Sequence, residues 1–409
     1  MKMLSRKLVV VLALVALVLP TFAISAQDTV NLVLWHAKQD AEGDALLAII
    51  DAFQEANPSI TVEQVYNPSG TLQDSFIAAA GAGEGPDMVI WANDSTGPWA
   101  TSGIISDLTA SVNDDLLAQG TETAWGTFTF EDSIYGVPFS AKTLAFFYNK
   151  ALVPDAPETW ADVISISEEL AADGLTGLAF QNGFFHSAGF LFSLGGGLMD
   201  ADGNAAFAAD SEGAAAMDAY LQLHQDLYTL GLDPNSGIVV DGSSPNPGFQ
   251  QGTVAMVYDG IWNLAQFESD LGDDLGVALM PALDNGNIPA LFAQSEGFFA
   301  NSNLDEAHLA AFITWGEFVT SFEGQTIAVE QGGLLPINPT VEVASANLQV
   351  FADQFALGTP FPNRAELGQF WGPMGDAITA VGAGEEAPAD ARMAAYDLIQ
   401  AGIDGLRGG

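Results

Sequence analysis

The 409-residue sequence contains no cysteine. That excludes disulfides, thiolate metal sites and thiol catalysis. It also removes the residue that would carry an N-terminal lipid anchor. A chain of this size does not need disulfides, because its apolar core suffices. Basic residues are nearly as scarce, with nine Lys and Arg against 52 Asp and Glu. Phosphate binding requires a basic footprint, so nucleic acid is excluded as a partner. An anionic membrane surface is equally unfavourable. The shortage of Lys and Arg reads as adaptation of the surface to its surroundings, saline or acidic. An acidic ligand would be repelled, which favours a neutral or cationic one.

Long apolar runs are confined to the N-terminus. Lys2, Arg6 and Lys7 precede an apolar stretch at 8–19, and small residues follow up to Ala23 and Ala26. About 12 apolar residues are too few to span a bilayer, which takes roughly 20. Residues 1–26 therefore read as a secretory signal peptide, cut after Ala23 or Ala26. The mature chain is expected to be exported, periplasmic or extracellular, soluble and without a lipid anchor. Beyond the leader only Lys38, Lys142, Lys150, Arg364, Arg392 and Arg407 are basic.

Signatures of catalysis are missing too. His36, His186, His224 and His308 fall in no HExxH spacing, and there is no GxSxG elbow or P-loop. The acidic stretch at 200–204 resembles a calcium loop, but its glycine comes too early and no carboxylate closes it, so it reads as a turn. No metal or cofactor is expected. A carboxylate pair could serve a glycosidase, yet 52 acids make chance pairs inevitable. The reading is a protein that is not an enzyme.

What is present is a folded, apolar-rich chain, 49% hydrophobic and 10% aromatic. Its length suggests two domains. Residues 31–35, 60–65 and 87–91 read as strands, with helical spacing between them at 46–53 and 72–80. The alternation continues with extended segments at 135–139, 144–148, 178–180, 254–258 and 276–280. Helices are expected at 160–172, 210–230, 306–318 and 370–381. Residues 241–247 read as a loop. This is an α/β chain of parallel βαβ units with helices on both sheet faces.

Three of eight tryptophans share a setting. Trp91 ends a strand and precedes Asp94, Trp262 follows a strand across Asp259 and Gly260, and Trp371 sits at a glycine-flanked helix start. Ligands in open α/β sheets bind beyond the carboxyl ends of strands. A flat indole suits the apolar face of a sugar ring, whose hydroxyls then need acceptors such as Asp94. Position alone does not separate this from tryptophans filling a core.

Several stretches in order resemble the extracellular solute-binding proteins of ABC sugar importers, above all the maltose/maltodextrin-binding proteins. They are LVLW at 32–35, GPDMVIWAND at 85–94, GIISDL at 103–108, YGVP at 135–138 and LAFFYNK at 144–150. PETW at 157–160, FQQGTVAM at 249–256, GIW at 260–262 and FW at 370–371 complete the set. The resemblance implies a two-lobe periplasmic-binding-protein-like fold of type II with a hinge of about three crossings. Lobe I would comprise 27–141 and 295–333, and lobe II 142–294 and 334–409. The crossings would lie near 140–144, 293–296 and 332–338.

The same resemblance implies a cleft ligand, hinge closure, and a membrane permease as partner to a monomer. By that analogy Trp91, Trp262 and Trp371 stack on sugar rings and Asp94 accepts hydroxyl bonds. Asp40, Gln73 and Asp74 stand at positions that contact or approach sugar. The chain also departs from the pattern. Lys142 replaces a glutamate at the first crossing, Phe184 and His186 replace a glutamate and a tyrosine, and Gly372 and Gly375 replace a tyrosine and an arginine. Lys142 could pair with Asp94, donate to a hydroxyl or stand in solvent; His186 could bond sugar or be buried. The expected ligand is maltose or maltodextrin. Alternatives are another oligosaccharide or polyol on the same fold, a secreted glycoside hydrolase, or a ligand-loaded signalling module.

Overall fold

The computed structural model describes residues 29–241, 246–343 and 345–408. The leader, and most of the loop expected at 241–247, lie outside the described residues. Asn246–Gln250 begins a short helix.

Two sheets organise the chain. The first runs Leu335–Pro336, Val137–Lys142, Phe292–Ala300, Met88–Ala92, Val30–His36 and Ile60–Tyr66, with Thr359–Pro360 beside Phe292–Ala300. The strand Val30–His36 is parallel to both neighbours, in register Leu34 with Met88 and Leu32 with Val62. Phe292–Ala300 is antiparallel to the strands on either side. The second sheet runs Leu275–Ala278, Leu144–Asn149, Val254–Gly260, Thr176–Gln181 and Ile238–Asp241. Here Leu144–Asn149 is the antiparallel strand. Antiparallel pairing enters the second sheet at Leu144–Asn149, and the first at Phe292–Ala300 and at Leu335–Pro336, which is antiparallel to Val137–Lys142.

Local sequence explains the elements. Ala45, Leu46, Ile49, Ile50 and Phe53 form one buried stripe on the helix Asp40–Ala56. The helix Trp160–Ala171 opens with a capping box. Thr159 Oγ1 accepts from Asp162 N at 3.2 Å, and Asp162 Oδ2 accepts from Thr159 N at 2.9 Å. All nine residues of Phe292–Ala300 are buried. That is why they show no period-2 alternation; Gln294, Ser295, Glu296 and Gly297 also break the apolar run, so reading the sequence placed only a crossing there.

Lobe I has a core in which Phe53 and Phe298 meet the Trp315 ring edge-on at 5.1 and 5.3 Å. Aromatic pairs of this kind add about 1 kcal/mol beyond their burial. Lobe II is centred on Phe180, Phe190, Tyr220 and Tyr258. A third cluster joins Ala124, Ala141, Leu335 and Ile337 to Phe147, Phe249 and Phe351, binding the lobes at the hinge. Leu335–Pro336, expected within lobe II, is hydrogen-bonded to the edge of the lobe I sheet.

The stretch at 200–204 is a turn held by its own bonds. Asp200 Oδ1 accepts from Asp202 N and Asn204 N, each at 2.9 Å. Among the described residues no His, Asp and Glu cluster suits a metal, and no helix is long and apolar enough to cross a membrane.

Candidate functional site

The strand ends deliver the candidate residues to the space between the lobes. In lobe I, Met88–Ala92 passes into the short turn Asn93–Ser95. Asn93 is buried, and its Oδ1 accepts from Ser295 N at 3.0 Å, tying this turn to the second crossing. Asp94 follows, with Oδ1 sealed from solvent and lacking a partner. Burial pushes its carboxyl up to about 6. Gln73 reaches the same turn, donating to Ser95 Oγ at 3.0 Å.

In lobe II, Val254–Gly260 ends at the turn carrying Trp262. A Cβ on Gly260 would run into the Trp262 ring, so glycine is what lets the indole fold back over the strand end. Trp262 is 37% exposed. Trp371 opens the helix Trp371–Gly382 and is half-buried.

The two tryptophans terminate an aromatic strip. Trp262 lies 6.3 Å from Phe185, Phe185 lies 6.1 Å from Phe361, and Phe361 stacks on Trp371 at 6.0 Å with 20° between planes. Phe184, aligned with a ligand contact by the resemblance, is instead buried in the lobe II core behind Trp371. It starts a helix that turns successive side chains apart, and Phe185 is the one in the strip. A phenylalanine pair gives no sequence signal as to which ring faces out.

A cavity of about 430 Å³ lies at the Trp371 end of this strip, lined by Gln73, Asp94 and Ser95 opposite Gln369 and Trp371. Another, of about 360 Å³, is lined by Gln39, Asp40 and Glu42 opposite Trp262 and Gln266. These volumes are within the range of small-ligand sites. The structure therefore brings Asp94, Gln73 and Trp371 together, and Asp40 with Trp262. Trp91 is half-buried at its strand end, packed on the cluster around Phe76 and Trp99, and is not in either lining. Asp74 is exposed on its helix and lines neither cavity.

Charged groups occupy the hinge strands between these cavities. Lys142 pairs with Glu296 at 3.0 Å, not with Asp94, and its ammonium lies 6.0 Å from the Trp262 ring centre. Lys38 bonds Glu42 at 2.6 Å and also Glu296. Burial opposes ionisation of Glu296, but Lys142 and Lys38 together hold its carboxyl down at about 2. His186 Nε2 is 3.6 Å from Asp259 Oδ1 in lobe II. Lys38, Glu42, Glu296, Phe185 and Phe361 were not found from sequence. One signal was available: Lys38 and Lys142 are two of only three lysines beyond the leader, and both meet one buried glutamate.

A family model described as bacterial extracellular solute-binding protein matches residues 48–353. The chain belongs to that family. Among curated relatives of this solute-binding protein, the galactooligosaccharide-binding protein of Bacillus subtilis (strain 168) is 25% identical over 395 residues, covering 93% of this chain and 91% of the relative. A maltooligosaccharide ABC transporter solute-binding lipoprotein of Streptococcus pneumoniae (strain ATCC BAA-255 / R6) is 25% identical, covering 78% and 76%. The maltose/maltodextrin-binding domain from Bdellovibrio bacteriovorus, solved with maltotriose, superposes with a TM-score of 0.79 at 24% identity, covering 92% of this chain and all of that one. The maltotriose-binding protein of Thermus thermophilus gives 0.77 at 22%, covering 91% and 100%. The fold is that of the two-lobe type II binding proteins, as the resemblance implied.

Proposed function

We propose that this solute-binding protein captures a neutral oligosaccharide, of the maltodextrin kind, between its lobes and hands it to an ABC importer. The observation that carries the reading is the aromatic strip from Trp262 to Trp371, set across from Asp94 and Gln73 at one end and Asp40 at the other. Aromatic faces cover the apolar faces of sugar rings, while acids and amides take the hydroxyls. Relatives named for galactooligosaccharide and maltooligosaccharide binding support the ligand class. The proposed ligand-facing set is Trp262, Trp371, Asp94, Gln73 and Asp40, with Lys142 and His186 at the floor and Trp91 beside Asp94.

Function would be conformational. Contacts to both lobes exist together only when the cleft is shut, so ligand shifts the population toward closure. We read the chain as a receptor and not a hydrolase. Asp94 can carry a proton, but Glu296 and Glu42 are engaged with lysines, so neither is free to serve as the second carboxylate a glycosidase needs. A single copy supplies both walls. The two pneumococcal relatives are named lipoproteins, whereas no cysteine is present here to accept a lipid; we propose an exported, unanchored protein, which detergent-phase partitioning of the native protein tests. For the ligand, calorimetry with maltotriose, galactooligosaccharide, trehalose and glycerol phosphate is decisive. Micromolar binding of an oligosaccharide is expected; tight binding of glycerol phosphate alone would overturn the reading.

A further inference from the structure

A third space between the lobes, of about 800 Å³, lies outside the cleft just described. Lobe I contributes Thr123 and Thr127, and lobe II contributes Phe192, Met199, Phe361 and Arg364. Its polarity sets it apart. No carboxylate lines it, in a sequence with 52 acids, while one of the six basic residues beyond the leader does. Four further cavities carry acids: Asp94 in one cleft cavity, Asp40 and Glu42 in the other, Glu131 and Asp132 in a third, Asp226 and Asp284 in a fourth. An acid-free pocket with an arginine in its wall is the one among these five that suits an anion.

Arg364 has capacity to receive one. It pairs with Glu366 at 3.4 Å through Nε and Nη2, and Arg407 takes the same carboxylate at 3.1 Å. Arg407 also faces Asp200, so these four groups balance in charge, and what Arg364 offers an anion is a guanidinium whose carboxylate is shared with a second one. Beyond the arginine, Thr123, Thr127, Thr359 and Asn363 supply uncharged polar groups, and Phe192, Leu198, Met199 and the Pro360 and Pro362 rings supply an apolar wall. The two lobes are held across this space by Asn363, whose Nδ2 donates to Thr127 O at 3.3 Å and also to Thr129 O. Phe361 is shared: it lines this space and stacks on Trp371.

We propose that this cavity is a second binding site, taking a small amphiphilic anion with an aliphatic body and a carboxylate head that bonds Arg364. The apolar lining takes the body, and the charged group stays at the arginine, where charge-assisted bonds are strongest. A molecule seated there touches both lobes and packs on the ring behind Trp371.

The test is calorimetric titration of the full chain without its leader, using octanoate and, as its uncharged counterpart, 1-octanol. Octanoate should saturate a single site and bind at least 5-fold more tightly than octanol. Arg364→Gln should reduce octanoate to the octanol level. Because that change also disturbs Glu366, a second variant locates the site independently. A Cβ at Gly197 meets nothing within 4 Å, so a side chain can start there, and Gly197→Leu narrows the cavity and should weaken binding of both probes at least 5-fold while the melting curve stays in place. Octanoate binding unchanged in either variant, or no saturation at millimolar concentration, would overturn the proposal.

Discussion

Lys142 and Glu296 form an ion pair at 3.0 Å that links the first hinge strand to the second. The same carboxylate also holds Lys38, which Glu42 pairs too, so two cations share two anions and Glu296 is the one common to both. Glu296→Gln should cost about 3 kcal/mol, since it strands charge in a site closed to water. Lys142→Met should cost less, because Lys38 still neutralises the glutamate. Urea denaturation of the three proteins checks the order.

The same pair has a pH signature. Glu296 is held at about 2 in the folded chain, below the ordinary glutamate value near 4.3 that applies when unfolded. Its stabilisation is therefore complete above about 4.3 and is lost as pH falls through about 2. In Glu296→Gln the stability curve should be flatter across that acid window. An equal slope in both proteins would contradict the assignment.

Asp94 behaves in the opposite sense. Burial raises it to about 6, so between its unfolded value near 3.9 and that figure the folded state holds the extra proton. Stability from this group accordingly declines as pH rises through the interval. Its ionised form is the better acceptor for sugar hydroxyls, so oligosaccharide affinity should fall as pH drops below about 6. Asp94→Asn should bind more weakly at pH 7.5 and lose most of that pH dependence, as measured by calorimetry from pH 5 to 8.

Phe184 and Phe185 are neighbours with different duties. Phe184→Ala should destabilise lobe II by about 3 kcal/mol, the cost of an emptied core site, with affinity retained under folding conditions. Phe185→Ala should change stability less and lower oligosaccharide affinity several-fold, because it breaks the strip between Trp262 and Phe361. Paired melting and binding curves separate the two.

Much of the lobe architecture could be read from the residues. Parallel strands at 31–35, 60–65 and 254–258 announce themselves through short apolar runs bounded by helical spacing, and the tryptophans following strand ends mark where a ligand would lie. The strand Phe292–Ala300 could not be read that way: it is buried throughout, but Gln294, Ser295, Glu296 and Gly297 interrupt the apolar run that marks a covered strand. At the site, Trp262 and Trp371 were legible because large aromatics at strand or helix ends are conspicuous. Glu296 was not, since its meaning comes from Lys38, 258 residues away in sequence. Lys142 was noticed as a departure, but its partner depends on which strands pair across the hinge, and that is a tertiary fact.

The account rests most heavily on the tryptophans at the two ends of the strip. Titrating maltotriose by calorimetry into the native chain and into a Trp262→Ala, Trp371→Ala double variant tests it directly. Hot-spot aromatics each contribute about 2 kcal/mol or more, so micromolar binding by the native chain should weaken roughly 1,000-fold, into the millimolar range. A folded double variant that binds maltotriose as tightly as the native chain would contradict the account.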